Sequence, residues 1–295
     1  MAPKYPIYIV SKDRSDCCFT ADCLIQDNVD FKIVIEPVDK DLYLKKYSIN
    51  QLLIVPFSNL NKGSLPARNW IWEYNIKKFG KNNRHWCLDD NIRKFRRYHK
   101  GLRIQINSGI GLRIIEDFID RYENVGIAGP NYTTFAIPHK AKLRPFLKNC
   151  HVYSCMLILN SLPFRWRGRW NEDVDLCLQT LAMKFCTIQT YAILIDKVAT
   201  MSMKGGNSLA YQERDSRLYG THILIRRWPK IVELTKKWGR PHFKIKNNWL
   251  CFKNIPLIKK KGIKIKQKSN EYGLKLQQKQ PIKSKRLQQF FKNNI

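Results

Sequence analysis

His85-Trp86-Cys87-Leu88-Asp89-Asp90-Asn91-Ile92 is an apolar run that ends abruptly in two carboxylates and an amide. A buried strand reads this way when it leaves a sheet and delivers acids into a crevice. Adjacent oxygen ligands at such a strand end suit a hard divalent cation, Mg²⁺ or Mn²⁺, of the kind that holds a diphosphate. The same tripeptide also reads as an acidic turn capping the next helix, and taken alone it does not separate the two.

Outward from this run toward the N-terminus, strand and helix patterns alternate. Residues 6–10 read as a strand, 11–15 as a polar loop, and Ser15 is placed to cap a helix running to about Gln26. Residues 31–35 and 52–56 are two further apolar runs. Short polar loops between alternating strands and helices predict an α/β fold with a parallel sheet. Ser64, with Pro66 two residues later, starts a helix whose Trp70, Ile71 and Tyr74 share one face and which ends near Gly80. That stretch reads equally as a plain capped helix or as an anion site. In the second reading the helix N-terminus offers backbone N–H groups and Arg68 adds a fork to a phosphate.

Toward the C-terminus, Arg93, Lys94, Arg96, Arg97, His99, Lys100 and Arg103 crowd a short span with Phe95 and Tyr98 interleaved. This is either a solvated basic face or a phosphate-contacting patch. Ile110, Ile114, Phe118 and Tyr122 mark an amphipathic helix, and residues 125–128, 152–159 and 186–195 read as strands. Between the last two lies Phe164-Arg165-Trp166-Arg167-Gly168-Arg169-Trp170-Asn171-Glu172-Asp173. Val174, Leu178, Leu181 and Phe185 share a helical face, so Glu172 and Asp173 stand at that helix's N-terminus. Any helix favours acids there. Here three arginines and two tryptophans precede them, a set able to hold a sugar ring and a diphosphate while one carboxylate acts as base. Lys204-Gly205-Gly206 reads as a turn or a phosphate-facing loop. Residues 218–238 read as a helix with a break near Pro229, and His242 as a surface histidine or a late metal ligand.

The 295 residues allow one large domain or a domain with an appendage. Fifty-four Lys and Arg against 23 Asp and Glu give a net charge of +31, which attracts polyanions without naming one. The nine cysteines form no CxxC pair and no zinc-finger spacing with histidine, so reduced, mostly buried thiols are expected. No signal peptide and no membrane span is read. Past about residue 250 the composition turns to Lys, Gln and Asn, with Lys259, Lys260 and Lys261 in a row. The expected division is a catalytic domain over 1–250 and a basic, flexible tail over 251–295.

Taken together, these stretches resemble the TET-associated glycosyltransferases, GT-A-like enzymes found mainly in bacteriophages. The likeness runs from Tyr5 to about His242. It is carried by Tyr8-Ile9-Val10-Ser11-Lys12, Pro56-Phe57-Ser58-Asn59, Pro66-Ala67-Arg68-Asn69-Trp70-Ile71-Trp72-Glu73 and Leu88-Asp89-Asp90-Asn91-Ile92. Asp120-Arg121-Tyr122-Glu123-Asn124-Val125, Val152-Tyr153-Ser154-Cys155, the stretch 164–173 and Thr200-Met201-Ser202-Met203-Lys204-Gly205-Gly206-Asn207 complete it. The lysine-rich tail lies outside the pattern, and Trp170 stands where a tyrosine is the more usual residue.

The resemblance implies a GT-A-like, mostly parallel central sheet flanked by helices. It implies transfer of a sugar from a nucleotide-sugar, a UDP-sugar, to the hydroxyl of a 5-hydroxymethylpyrimidine such as 5-hydroxymethylcytosine in DNA. Asp89-Asp90-Asn91 then corresponds to a variant of the Asp-x-Asp metal signature. Asp90, helped by Asp89, is expected to hold Mn²⁺ or Mg²⁺, with His242 as a further candidate. Ser11, Arg68, Asn91, Arg165, Arg167 and Lys204 join them as donor-binding candidates. Asp173, or in its place Glu172, is the expected base, with inversion at the anomeric carbon. Arg93, Lys94, Arg96, Arg97 and Lys259 to Lys261 are expected to meet DNA. A cytoplasmic protein, the host's cytoplasm for a phage, with no membrane and no obligate protein partner, completes the expectation. Two other classes stay open: transfer to a protein or small-molecule hydroxyl, and an inactive DNA-binding scaffold.

Overall fold

The computed structural model describes residues 1–136, 144–199, 202–203, 205–206, 216–237 and 239–263. Strand β1 (Ile7–Val10) leads to α1 (Phe19–Gln26), β2 (Lys32–Ile35), α2 (Lys40–Leu44), β3 (Leu52–Ile54), α3 (Leu65–Phe79) and β4 (Arg84–Asp89). Next come β5 (Ile92–His99), β6 (Leu102–Ile106), α4 (Ser108–Ile119), β7 (Val125–Tyr132), β8 (Phe146–Lys148) and β9 (Cys155–Leu159). Helix α5 (Glu172–Ala182), β10 (Cys186–Lys197), α6 (Ser216–Arg227), β11 (Val232–Lys237) and β12 (Arg240–Ile245) follow.

The chain is α/β, with one large mixed sheet flanked by helices, in keeping with the GT-A-like architecture expected. Its strand order is β3-β2-β1-β4-β9-β7-β10-β5-β6, with β8 paired to β10. The pairs β3-β2, β2-β1, β1-β4 and β7-β10 are parallel, and the other neighbours antiparallel. Alternate residues of β1 and β4 face opposite layers. Ile7, Ile9, Trp86 and Leu88 pack into the main core with Leu24, Leu112 and Ile115 of α1 and α4. Tyr8 and Cys87 turn to the other face, where Ile71 and Trp72 of α3 cover them. The buried Glu116 fastens the entry to β1: it accepts from the Lys4 backbone N–H at 2.7 Å and from Trp86 Nε1 at 2.8 Å. Gly129 is required where β7 passes β9, because a Cβ there would lie 2.1 Å from the Cys155 carbonyl oxygen. All nine cysteines are free. Among the described residues no helix is long and apolar enough to cross a membrane.

Two sequence expectations are corrected. The helix expected over 218–238 ends at Arg227, and β11 follows. Pro229 cannot extend the helix, and the β-branched Val232 and Thr235 then pair against Ile245 and His242 of β12. The boundary placed at residue 250 falls too early, since the first compact unit runs Met1–Lys260. Phe252 and Ile255 are buried, and Asn149 Nδ2 donates to their carbonyls at 2.8 and 3.1 Å. Lysine density masked these apolar anchors. Lys259 bridges to Tyr122, and the Lys260 N–H donates to Arg121. Lys261 begins the second unit, 261–295, of which residues 261–263 are described.

Candidate active site

Strands β1, β4, β7 and β10 run in one direction, so their carboxyl ends meet along one edge of the sheet. Ser11, Asp89, Tyr132 and Lys197 stand at those ends. The N-termini of α3 and α5 bring Arg68 and Glu172 to the same edge, as crevices in open α/β sheets are built. The result is a cleft of about 1210 Å³ lined by all of these, and also by Lys12, Arg14, Asp90, Asn91, His151, Arg169, Asp173 and His242.

Arg68 organises it. The guanidinium is buried over the Trp166 ring, 4.5 Å from its centroid, and reaches two acids at once. Nη2 meets Asp89 Oδ1 at 2.9 Å, and Nη1 meets Glu172 Oε1 at 3.1 Å. Lys197 Nζ takes the other oxygen of Asp89 at 3.3 Å. Burial pushes Asp89 up, but Lys197 and Arg68 outweigh it and hold the carboxyl below its ordinary range. Asp90 turns the other way, into the first strand–helix loop. Its oxygens accept from Arg14 Nη1 at 2.7 Å and Ser11 Oγ at 2.8 Å. Burial still lifts its pKa despite Arg14 and Ser11. Arg14 also donates to the Gly205 carbonyl at 3.0 Å, and the Gly206 N–H donates to Lys12 O, so the glycine pair closes over this loop.

At the α5 end, Asp173 Oδ2 lies 3.0 Å from His151 Nε2, and Oδ1 accepts from the Val174 N–H at 2.8 Å. Among the described residues Glu172 is tied through Oε1, to Arg68 and, at 3.4 Å, to Ser64 Oγ. Environment splits the two neighbours. Burial, with the Asp173 charge beside it and Arg68 opposing, raises Glu172 to about 7. Burial also acts on Asp173, but His151 overcomes it and lowers the carboxyl to about 2. One acid is thereby kept ionised and its neighbour poised near neutrality, a pattern suited to proton transfer.

The donor set fits a hard cation shared with a diphosphate, which needs one or two carboxylates from the protein and takes its other oxygens from phosphate and water. It does not fit a cage built by protein alone: among the described residues no group of three His, Cys, Asp or Glu is placed to hold a metal. Of the two carboxylates Asp89 is the more exposed to the cleft, with 23% of its side chain accessible against 5% for Asp90. His242 lines the cleft, but its Nδ1 is turned to the Phe243 carbonyl at 2.7 Å, and it does not join Asp89 and Asp90.

Ser11, Arg68, Asp89, Asp90, Asn91, Glu172 and Asp173 are brought together as expected. Arg165 and Arg167 are not. Arg165 pairs with Glu73 at 2.5 Å over the Trp72 ring, and Arg167 neutralises the buried Asp175 at 2.7 and 3.1 Å. Arg169 is the arginine of that stretch that lines the cleft. Lys204 lies outside the described residues. Arg93, Lys94, Arg96 and Arg97 fall on β5, away from the cleft lining; Arg93 stacks on Phe19 and Arg96 pairs with Asp196 at 2.6 Å. Sequence reasoning missed Arg14, His151 and Lys197. Each flanks an apolar run at the end that faces the cleft, and that position was the available signal.

No curated protein matches the chain. Residues 5–206, more than half of it, match the family described as TET-Associated Glycosyltransferase, a span that holds Arg68, Asp89, Glu172, Asp173 and Lys197 of the cleft, and the chain belongs to this glycosyltransferase family.

Proposed function

We propose that the protein moves a sugar from a nucleotide-sugar, a UDP-sugar, to the hydroxyl of a 5-hydroxymethylpyrimidine in DNA. The observation that supports this reading is Arg68 spanning Asp89 and Glu172 in one cleft, so that an acid suited to a metal-held diphosphate and an acid suited to accept a proton lie together. The net charge of +31 supports a polyanionic acceptor.

In this scheme Arg14, Arg68 and Lys197 face the donor diphosphate and offset the charge that builds on it as it leaves. Asp89, with Asp90 behind it, would hold Mg²⁺ or Mn²⁺, which supplies Lewis-acid neutralisation of the same leaving group. The acceptor hydroxyl gives its proton to Glu172 while its oxygen bonds to the anomeric carbon and the bond from that carbon to the phosphate oxygen breaks. Attack opposite the departing phosphate inverts the anomeric configuration. Asp173, fixed by His151 and the Val174 N–H, stays ionised and keeps its neighbour's affinity for the proton high. The expected order of the two acids is thus exchanged: Glu172 accepts the proton and Asp173 supports it.

Mass spectrometry of DNA containing 5-hydroxymethylcytosine, incubated with the protein, Mn²⁺ and a panel of nucleotide-sugars, tests the reading. A hexose-sized mass gain on the modified base, absent with unmodified cytosine, is the expected result. Transfer to neither base from any donor, in a protein shown to bind UDP, sinks it.

A further inference from the structure

Glu172 and Asp173 lie inside the cleft, with 12% and 28% of their side chains exposed. A pyrimidine still stacked in a duplex holds its hydroxymethyl group in the major groove, and turning the base out of the stack is the way such a group is delivered to acids set inside a cleft. The wall beside Asp173 is aromatic. The His151 ring, whose Nε2 faces Asp173, is nearly parallel to the Trp249 indole, with 20° between planes and 6.4 Å between centroids. Tyr153 meets His151 edge-on at 4.9 Å.

These three residues line the main cleft and also a second cavity of about 430 Å³, within the roughly 300–1,000 Å³ of small-molecule sites. Two buried amides line that second cavity. Asn149 Oδ1, an acceptor, has no hydrogen-bond partner among the described residues, and Gln189 sets an amide donor beside the Tyr153 hydroxyl. An amide acceptor and an amide donor lining one cavity complement the exocyclic amine and the ring nitrogen or carbonyl of cytosine. Trp249 is held at φ +67°, after Asn247 and Asn248 at +51° and +49°. A tryptophan is rarely left-handed, and such strain persists where the surrounding fold enforces it, often at functional sites. Here the buried Phe252 and the Lys246 N–H, which donates to Ile231 O at 2.8 Å, pin the two ends of the segment. On the same rim Lys237 and Arg240 are exposed cations within reach of flanking phosphates.

We propose that the acceptor base is extruded from the helix and stacks on Trp249 in the aromatic corner formed with His151 and Tyr153, its polar edge toward Asn149 and Gln189 and its hydroxymethyl group toward Glu172. The inference rests on the DNA-acceptor reading and adds the site that takes the base. A duplex carrying 2-aminopurine next to 5-hydroxymethylcytosine reports extrusion, since the probe brightens when its stacked neighbour leaves.

Saturating wild-type protein should raise the fluorescence severalfold. Trp249→Ala should abolish the rise and weaken use of the modified base about 5- to 150-fold, the equivalent of one base–aromatic stack. Trp249→Phe, which keeps a stacking face, should retain both, and thermal melts confirm that the variants fold. No fluorescence rise with wild-type protein overturns the proposal, whatever the variants do. Sugar transfer to that duplex without a rise overturns extrusion and leaves the glycosyl reading intact. A rise without transfer supports extrusion and overturns the glycosyl reading instead.

Discussion

His151 Nε2 stands 3.0 Å from Asp173 Oδ2, and in the proposed chemistry this contact favours Glu172 over its neighbour as the acid that takes the proton. With Oδ1 also held by the Val174 N–H, Asp173 is a weak base, while Glu172 is raised to about 7. Glu172→Gln should lower turnover on the order of 10²–10⁴-fold, the usual worth of a general base, with donor affinity little changed. Asp173→Asn should cost less, because the amide preserves the shape and removes only the charge. Steady-state kinetics and calorimetric UDP binding on both variants check this; a near-normal Glu172→Gln enzyme returns the role to Asp173.

The same split shapes stability against pH. Glu172 is more basic in the folded protein than in the unfolded chain, where a glutamate titrates near 4.3. The folded state therefore binds more protons between those values, and this residue's contribution falls as pH rises from about 4.3 to about 7. Asp173 acts in the opposite sense and lower down: its contribution is present above about 3.9 and is lost as pH falls toward 2. Urea unfolding at pH 5 and pH 8 should show wild type losing more stability over that interval than Glu172→Gln. Parallel pH profiles for the two proteins would remove the assignment.

Asp89 and Asp90 should separate function from folding. Asp89→Ala leaves a folded protein whose Mn²⁺-dependent affinity for UDP, followed by calorimetry, drops at least about tenfold. Asp90→Ala removes the carboxylate partner of Arg14, a side chain only 11% exposed that keeps the Gly205 carbonyl. Breaking a buried pair costs about 3–5 kcal/mol, so its main signature is a lower melting temperature. Equal donor affinity in wild type and Asp89→Ala would show that Asp89 is not the open ligand.

Arg167 is predicted to matter for folding rather than donor binding. Arg167→Ala removes a partner of the fully buried Asp175, which then keeps Trp228 Nε1 at 2.7 Å, Gln179 Nε2 at 3.0 Å and the more distant Arg227. We expect a loss of about 2–4 kcal/mol in denaturant unfolding, since part of the charge stays compensated. UDP affinity at a temperature where the variant is folded should match wild type; a large fall there would restore Arg167 to the donor site.

Two truncations should behave differently. Ending the chain at residue 250 deletes Phe252 and Ile255 and leaves the buried Asn149 Nδ2 without its two carbonyls, so the melting temperature should drop sharply. Ending it at 263 removes lysine-rich sequence only. That protein should keep its melting temperature and its activity on a short oligonucleotide. Its binding to long DNA should weaken, with a log–log salt slope shallower by several units. Loss of activity at every salt concentration from the longer protein would make the lysine-rich segment structural rather than a DNA tether.

The sequence by itself determined the local frame. Apolar runs at regular intervals became β1 through β4 and β10, because period and breaker residues act within a few positions of themselves. Ser64 and Pro66 before Trp70, and an acid pair before Val174, marked the two helix starts that line the cleft. Strand-end placement of Asp89 and Asp90 was legible too. Only the tertiary structure decided how those residues are used. Strand order put β10 and β4 in one sheet, so that Lys197 reaches Asp89 across 108 positions of sequence. The pleat turned the neighbours Asp89 and Asp90 to different partners, which the tripeptide could not reveal. In the arginine-rich stretch, residue type pointed to Arg165 and Arg167 as donor ligands. Packing sent Arg165 to Glu73, Arg167 to a buried carboxylate and Arg169 alone to the cleft. Whether a cation binds substrate or neutralises an internal acid depends on what the fold buries beside it, and that choice is made by contacts distant in the chain.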